Sequence, residues 1–189
     1  MQRVLGAFIL ARRTWRFCLT NAGRVTTATP HYSIRPARAS DVPELVRLFS
    51  ELGYEIPPDV LAQRLEAYAA SGEQAIVAAD ESANERLLGV ATLHATPVLH
   101  RAGPVGRVTA LVVDATLRGC GIGRALMAAA ERWAAERGCV LLEVTSNQRR
   151  VDAHKFYEGL GFERTSFRFA RAPRADAAPV VNPTRDHTA

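Results

Sequence analysis

A glycine-rich turn between an apolar strand and a helix constrains this chain more than any other feature. Residues 112–123 begin at the end of an apolar strand and contain glycine at 119, 121 and 123. A helix is predicted to begin near Ile122. Glycine adopts positive φ without steric cost and lets a ligand approach the backbone closely. The first N–H groups of a helix have no partner within it, so they form a ready site for an anion. The segment predicts a phosphate cradle, with Arg118 adding a positive charge at its head.

Two familiar phosphate motifs do not fit these residues. A P-loop ends in Gly-Lys-Ser/Thr, whereas Arg124 and Ala125 follow Gly123 here. A dinucleotide fingerprint places its third glycine five positions after the first, and Arg124 stands five positions after Gly119. Residues 118–123 instead read Arg-Gly-x-Gly-x-Gly and follow the apolar residues 111–113. For this motif taken alone, an ordinary glycine-rich turn stays open as an alternative.

Charge and composition argue against a nucleic-acid surface and a membrane span. The net charge of +5 arises in residues 1–40, which hold seven arginines and no acidic residue, while the rest carries 17 basic against 19 acidic residues. No apolar run approaches the ~18 residues that a transmembrane helix requires. The three cysteines, Cys18, Cys120 and Cys139, show no metal-ligand spacing. We therefore expect no metal, a reducing compartment and no disulfide framework.

The two ends of the chain differ in composition from its centre. Residues 1–30 are arginine-rich and free of acids, which is typical of an organelle transit peptide. A disordered leader, or a start codon assigned too early, is the simpler interpretation. Residues 173–189 predict a disordered tail, which leaves residues 31–172 as the folded domain. We expect a cytoplasmic protein, with organelle targeting by the leader left open.

Hydrophobic periodicity predicts an α/β fold for the central domain. The order over residues 32–170 is strand, two helices, three strands, helix, strand, helix, strand. A strand at 107–113, a helix from residue 122 and a strand at 139–144 form a right-handed crossover, so these two strands are expected to be parallel. A helix over 151–160 and a strand over 162–170 are expected to complete the sheet.

A second motif supports a family resemblance. Residues 153–162 read Ala-His-Lys-Phe-Tyr-Glu-Gly-Leu-Gly-Phe and are similar to the Ala-x-x-Phe/Leu-Tyr-x-x-x-Gly-Phe element of the GNAT N-acetyltransferases. The glycine turn resembles the pyrophosphate loop of the same family. The resemblance covers residues 32–170. It implies one domain with a mixed sheet of about six to seven strands, about four helices, a splayed pair of parallel strands, and acetyl-CoA as co-substrate.

Within this family, the chain is most similar in appearance to the aminoalkylphosphonate N-acetyltransferase branch. The similarity rests on His94, His100, Arg150, the triplet 152–154 and the segment 166–169. Members of this branch differ in substrate, so it is a weak guide to specificity.

Acetyl transfer to an amine requires a neutral amine, a donor for the developing oxyanion and a proton for the leaving thiolate. The resemblance places Tyr157 at the position of the leaving-group acid and implies a backbone N–H near Val112 or Val113 as the oxyanion donor. Glu143, the one charge in an apolar strand, is the candidate base, directly or through water. A packing tyrosine and a solvent-facing glutamate are the alternatives. His94 and His100 are further candidates for the base, since histidine titrates near neutral pH.

The remaining expected contacts divide between cofactor and acceptor. Cofactor contacts are expected from Leu111, Val112, Val113, Arg118, Gly119, Cys120, Gly121, Ile122, Gly123, Arg124, Asn147, Ala153 and Phe156. Acceptor contacts are expected from Tyr54, Glu55, His94 and His100. The sequence departs from many relatives at Arg107 and Ala110, where a glutamate is common, and at Arg150, where asparagine is common.

These features favour an acetyl-CoA-dependent N-acetyltransferase that acts on a primary amine of a small molecule. We expect a monomer or homodimer, with neither nucleic acid nor membrane as partner. A protein N-terminal acetyltransferase is one alternative. A non-catalytic acyl-CoA-binding module is another, and it would keep the glycine turn without needing Glu143 or Tyr157. A nucleotide-binding regulator fits less well.

Overall fold

The computed structural model describes residues 30–82 and 86–172, so the predictions for the leader and the tail lie outside the described residues. Two compact units are present, one ending at Asn147 and the other beginning at Gln148. The α/β class predicted from the periodicity is confirmed. Within the described ranges, no helix combines the length and the apolar character needed to cross a membrane.

The first unit contains one sheet and three helices, and the second contains the fourth helix. In chain order the elements are β1 (Tyr32–Pro36), α1 (Val42–Ser50), α2 (Pro58–Ala70), β2 (Gln74–Asp80), β3 (Leu87–Thr96), β4 (Val105–Val113), α3 (Ile122–Glu136), β5 (Leu141–Val144) and α4 (Val151–Glu158). A short 3₁₀ helix, Ala115–Leu117, lies in the connection between β4 and α3.

The sheet has the strand order β1-β2-β3-β4-β5. Its first four strands pair antiparallel, whereas β4 and β5 pair in parallel, as the crossover predicted. Pairing between β4 and β5 runs from Val105↔Leu141 to Val108↔Val144, and β4 then continues to Val113 paired with β3 but not with β5. The parallel pairing therefore involves only the first part of β4, from Val105 to Val108.

The number of strands is five in the described residues, so the expected six to seven is too high. The expected strand at 162–170 is absent, since residues 162–172 have no regular secondary structure. Phe167 and Phe169 are 81% and 93% exposed there. Their alternation with polar residues is typical of a strand, but a strand also needs a hydrogen-bonding neighbour and a covered apolar face. In contrast, β3 extends as far as Thr96, which pairs with Val105 at the start of β4.

Helices cover both faces of β3. On one face, α1 and α2 contribute Leu45, Leu48 and Leu61 to a buried cluster that includes Val90. Successive residues of a strand point to opposite faces, so Gly89 points away from that cluster. A Cβ on Gly89 would lie 3.1 Å from Leu126 of α3, which shows how closely α3 approaches the other face. This packing fixes the start of α3, where the glycine turn ends.

Candidate active site

The glycine turn has the open backbone geometry that its sequence predicts. Gly119 and Gly121 have φ of +83° and +82°, a region that favours glycine. Gly121 caps α3, and a Cβ built on it would meet no heavy atom within 4 Å. Ile122, the first residue of α3, is 1% exposed and holds the helix start against the core. The start of α3 is therefore open to an approaching anion.

Cys120 lies within the turn, whereas Gly123 and Arg124 belong to the helix that follows it. The Cys120 N–H donates to Leu117 O at 3.3 Å, so it stabilises the turn itself. Cys120 is also disulfide-bonded, a bond that the expectation of no disulfide framework did not include. Gly123 and Arg124 lie in the first turn of α3, and Arg124 is exposed.

Arg118 stands at the head of the turn with an anionic partner. Its guanidinium lies 3.3 Å from Glu51 Oε2, and its Nε donates to Val113 O at 3.4 Å. Its side chain is 63% exposed. The same oxygen of Glu51 accepts a hydrogen bond from Ala115 N at 3.1 Å. The positive charge predicted at this point is therefore partly compensated by a carboxylate from the end of α1.

Asp114 anchors the turn where it leaves β4. Its side chain is 4% exposed and accepts from Thr116 N at 3.0 Å and from Thr116 Oγ1 at 2.6 Å. It also pairs with Arg47 at 2.9 Å and with Arg86 at 2.7 Å. Burial acts to raise the pKa of Asp114, but the hydrogen bonds from Thr116 and Arg86 outweigh it and lower the pKa to about 2. Asp114 therefore carries a fixed negative charge beneath the turn.

Three charged residues, two on α1 and one directly after its last residue, connect the sheet to the turn. We call Glu44, Arg47 and Glu51 the α1 charge stripe. Arg47 donates to Glu44 at 2.8 Å and to Leu87 O at 2.8 Å, and Glu44 accepts from Leu87 N at 3.1 Å. The hydrogen bond from Arg47 lowers the pKa of Glu44. The stripe cannot be recognised from the sequence, because charges three and four positions apart on a helix are typical of a solvated face.

The backbone of β4 presents donors where β5 has separated from it. Asp114 N donates to Leu88 O, and N–H groups alternate in direction along a strand. Val112 therefore directs its N–H toward β3, while Leu111 and Val113 direct theirs toward the β5 side. Of the two residues expected near the oxyanion, this geometry favours Val113.

A β-bulge marks the same part of β4. Thr92 pairs with Ala110 and Leu93 pairs with Val108, so Thr109 is an extra residue between them. Its hydroxyl lies 2.7 Å from the Thr92 hydroxyl. The bulge occurs directly after the last residue that pairs with β5.

Glu143, the candidate base, is paired with Arg107. The two residues are opposite each other in the β4–β5 register, and Arg107 Nε donates to Glu143 Oε1 at 2.6 Å. A second guanidinium nitrogen of Arg107 contacts the same oxygen. The carboxylate can therefore accept a proton only in competition with this guanidinium, or through its other oxygen.

His94 lies next to this ion pair, because it is opposite Arg107 in the β3–β4 register. Its Nδ1 is 3.5 Å from Glu73 Oε1, and its Nε2 is 3.0 Å from Thr96 Oγ1. The other expected acceptor residues lie on connecting segments and are exposed, namely Tyr54, Glu55 and His100. The ring of His94 therefore contacts Glu73 and Thr96, whereas the loop residues lie on the surface.

Tyr157 belongs to the second unit, on α4 with Ala153 and Phe156. Its ring packs edge-on against Phe156 at 5.3 Å and Phe162 at 6.0 Å between centroids. Burial raises the pKa of Tyr157, and the nearby charge of Arg150 lowers it by less. The phenol is therefore protonated at neutral pH and can donate a proton. Asn147, an expected cofactor contact, is an exposed residue at the end of the first unit.

The chain belongs to the acetyltransferase (GNAT) family, whose model matches residues 42–162. This match includes both the glycine turn and the Tyr157 element, and it confirms the resemblance predicted from them.

Named relatives support this membership. The chain is 39% identical over 89 residues to the aminoalkylphosphonate N-acetyltransferase of Salmonella typhimurium, which covers 47% of this chain and 58% of that protein. It is 36% identical over 78 residues to the aminoglycoside N(6')-acetyltransferase type 1 of Stenotrophomonas maltophilia, covering 39% and 51%. The chain thus spans about half the length of the curated relatives it matches. A crystal structure of a Trypanosoma brucei acetyltransferase is 26% identical with a TM-score of 0.66, over 76% of this chain and all of that one.

Proposed function

We propose that the chain is an acetyl-CoA-dependent N-acetyltransferase that acts on a primary amine of a small molecule. The observation that carries this proposal is the open glycine turn at the start of α3, directly after the strand that separates from β5. Membership of the acetyltransferase family gives that turn its ligand, the pyrophosphate of CoA. The relatives named for aminoalkylphosphonates and aminoglycosides support a small amine as acceptor.

The pyrophosphate and the thioester carbonyl of the cofactor each have a proposed counterpart in the first unit. Acetyl-CoA, when bound, supplies a thioester carbonyl and a thiolate leaving group. The first N–H groups of α3 hold the pyrophosphate, and Gly121 leaves room for it. The N–H groups of Leu111 and Val113 stabilise negative charge on the carbonyl oxygen, which is worth ~3 kcal/mol per well-placed donor.

The proton transfers are assigned to two side chains. The amine nitrogen attacks the carbonyl carbon, the C–N bond forms, and the C–S bond breaks with its electron pair passing to sulfur. Tyr157 donates its phenolic proton to that sulfur. The proton lost by the amine goes to Glu143 or to water. Because Arg107 engages one oxygen of Glu143, a water held by the other oxygen suits this step better than direct contact.

The test is a thiol-release assay with acetyl-CoA and a panel of small amines, aminophosphonates and peptides. We expect turnover on a small amine, and Tyr157→Phe should slow it by about 10²-fold, within the range for loss of a general acid. Tyr68→Phe is a matched control, because Tyr68 lies on α2, its hydroxyl donates to Leu93 O of β3, and the proposed mechanism assigns it no step of the transfer. Its rate should stay within about twofold of the parent rate.

The other outcomes distinguish the alternatives. Turnover confined to peptide N-termini would favour a protein N-terminal acetyltransferase. CoA binding without turnover on any amine would favour a non-catalytic module. Failure to bind CoA, or binding unchanged by Gly121→Glu, would contradict the proposal, since that side chain enters the open space above α3.

Two further variants separate the candidate bases. Glu143→Gln should lower kcat by ~10²-fold if Glu143 or its water takes the proton, while His94→Gln should leave kcat within a few-fold. The reverse result would transfer the role to His94. Rates are compared at saturating acetyl-CoA so that cofactor affinity does not contribute.

A further inference from the structure

Glu51 reaches the cofactor turn from outside it. It follows Ser50, the last residue of α1, and its side chain is 22% exposed. Its Oε2 accepts from Ala115 N at 3.1 Å and lies 3.3 Å from the guanidinium of Arg118. Its Oε1 lies 3.5 Å from Arg47. One carboxylate thus holds a backbone N–H at the entrance of the turn and the cation at its head.

Glu51 and Asp114 hold neighbouring parts of the same segment. Asp114 binds the backbone and hydroxyl of Thr116, and Glu51 binds the preceding residue, Ala115. Arg47 lies between the two carboxylates, 2.9 Å from Asp114 and 3.5 Å from Glu51. The entrance of the turn is therefore fixed by side chains from two elements that precede α3.

A carboxylate at this place has two opposite effects on a polyanionic ligand. Its charge repels a pyrophosphate, but solvent weakens this repulsion at a partly exposed position. Its hydrogen bonds orient the backbone, and charge-assisted hydrogen bonds to N–H and guanidinium groups are the stronger kind. We expect the orienting effect to dominate, because the N–H groups of α3 bind only a correctly placed phosphate.

We propose that Glu51 is a positioning residue of the cofactor turn, which sets the entrance of the turn and the place of Arg118 for the pyrophosphate. The inference rests on the proposed function. It adds that α1, which contributes no residue to the glycine motif, controls cofactor affinity. It also assigns a role to a residue that ends a helix and lies more than 60 positions before the turn it contacts.

The experiment is a calorimetric titration of the full chain with CoA. Glu51→Ala should raise the Kd for CoA by about five- to twentyfold. Glu51→Gln should stay within about threefold of the parent, because the amide oxygen still accepts from Ala115 N. Glu66→Ala, at an exposed position of α2, is the matched control and should leave the Kd unchanged. Thermal melts of each variant ensure that every titration is done on folded protein.

Rescue by glutamine is the result that separates positioning from charge. If Glu51→Ala and Glu51→Gln both bind CoA as tightly as the parent or more tightly, Glu51 is only a neighbouring anion and the inference is wrong. Arg118→Gln gives a second test, because Glu51 acts partly through Arg118. The Kd for CoA of the double variant should then rise by less than the product of the rises in Glu51→Ala and in Arg118→Gln. A rise equal to that product would mean that the two residues act independently, and it would contradict the inference.

The proposed function and the role of Glu51 can be overturned separately. If the parent chain does not bind CoA, the proposed function is wrong and this inference is wrong with it. If the parent binds CoA and releases thiol on an amine, but the Glu51 variants bind as the parent does, only the role of Glu51 is overturned.

Discussion

Removal of the charge at Asp114 should destabilise the fold by an amount that the structure allows to be worked out. The change is Asp114→Asn, which keeps the shape of the side chain and leaves Arg47 and Arg86 without their shared anion. The pKa of Asp114 falls from an ordinary value of 3.8 to about 2 on folding. At 1.36 kcal/mol for each pKa unit, the ionised form favours the folded state by about 2.5 kcal/mol. For a domain of this size, the melting temperature should fall by about 5–10 °C.

The assay is urea unfolding of parent and variant from pH 7 down to pH 2. A carboxyl group whose pKa is lowered on folding stabilises the protein above its unfolded pKa. That stability is lost as the pH falls through the folded pKa. The difference between parent and variant should therefore be full above about pH 4 and decline between about pH 4 and 2. Glu66→Gln, an exposed carboxyl group on α2, is the control for loss of charge alone and should change stability by less than about 0.5 kcal/mol.

Two results would refute this reasoning. A difference below about 0.5 kcal/mol at pH 7 would mean that the hydrogen bonds to Asp114 contribute no more than a surface contact. A difference of full size that persists at pH 2 would mean that the asparagine disturbs packing, because a purely electrostatic effect must disappear when the parent carboxyl group is protonated.

Three further substitutions test the geometry around the turn. Gly121→Ala places a methyl group at φ +82°, so it should cost about 1–2 kcal/mol in urea unfolding and weaken CoA binding in a titration; unchanged values of both would contradict the left-handed turn. Leu126→Ala removes a side chain that is 0% exposed and should cost about 2–5 kcal/mol by the same unfolding assay, whereas a loss below 1 kcal/mol would place Leu126 outside the core. Gly89→Ala would bring a Cβ to 2.7 Å from Val112 O of β4 and 3.1 Å from Leu126 of α3, so it should lower the melting temperature through a loss of about 1–3 kcal/mol. A neutral result would mean that neither β4 nor α3 approaches Gly89 this closely.

The sequence was sufficient to predict the glycine turn because its requirements are local. Positive φ, a helix start and a preceding apolar strand are all encoded within residues 112–123. The Tyr157 element is equally local, and its spacing within one helix and the following turn could be compared directly with a family pattern. The parallel pairing of β4 with β5 also followed, since a crossover helix between two strands restricts their direction.

The ion pairs of the site could not be predicted, because they join residues far apart in the chain. Arg47 and Asp114 are 67 positions apart, and their contact depends on how α1 packs over the end of β4. The sequence identifies Arg107 as a departure from many relatives and Glu143 as the candidate base, but it does not indicate that the two residues pair. Their pairing follows from the register between β4 and β5, which no local pattern specifies.

The strand expected at 162–170 shows the opposite error. Alternating Phe167 and Phe169 satisfied the period of a strand, but periodicity describes only one face and supplies no neighbour. The exposure of both rings in the structure shows that the pattern alone was insufficient.

The Arg107–Glu143 pair also affects what an incoming acceptor meets where β4 and β5 separate. A guanidinium and a carboxylate in contact cancel each other's net charge and leave a local dipole. Under the proposed function, an acceptor that reached this point would therefore be selected by hydrogen-bond geometry more than by its overall charge. Since a dipole has a shorter-ranged field than an ion, we expect acceptor affinity at this point to depend only weakly on ionic strength.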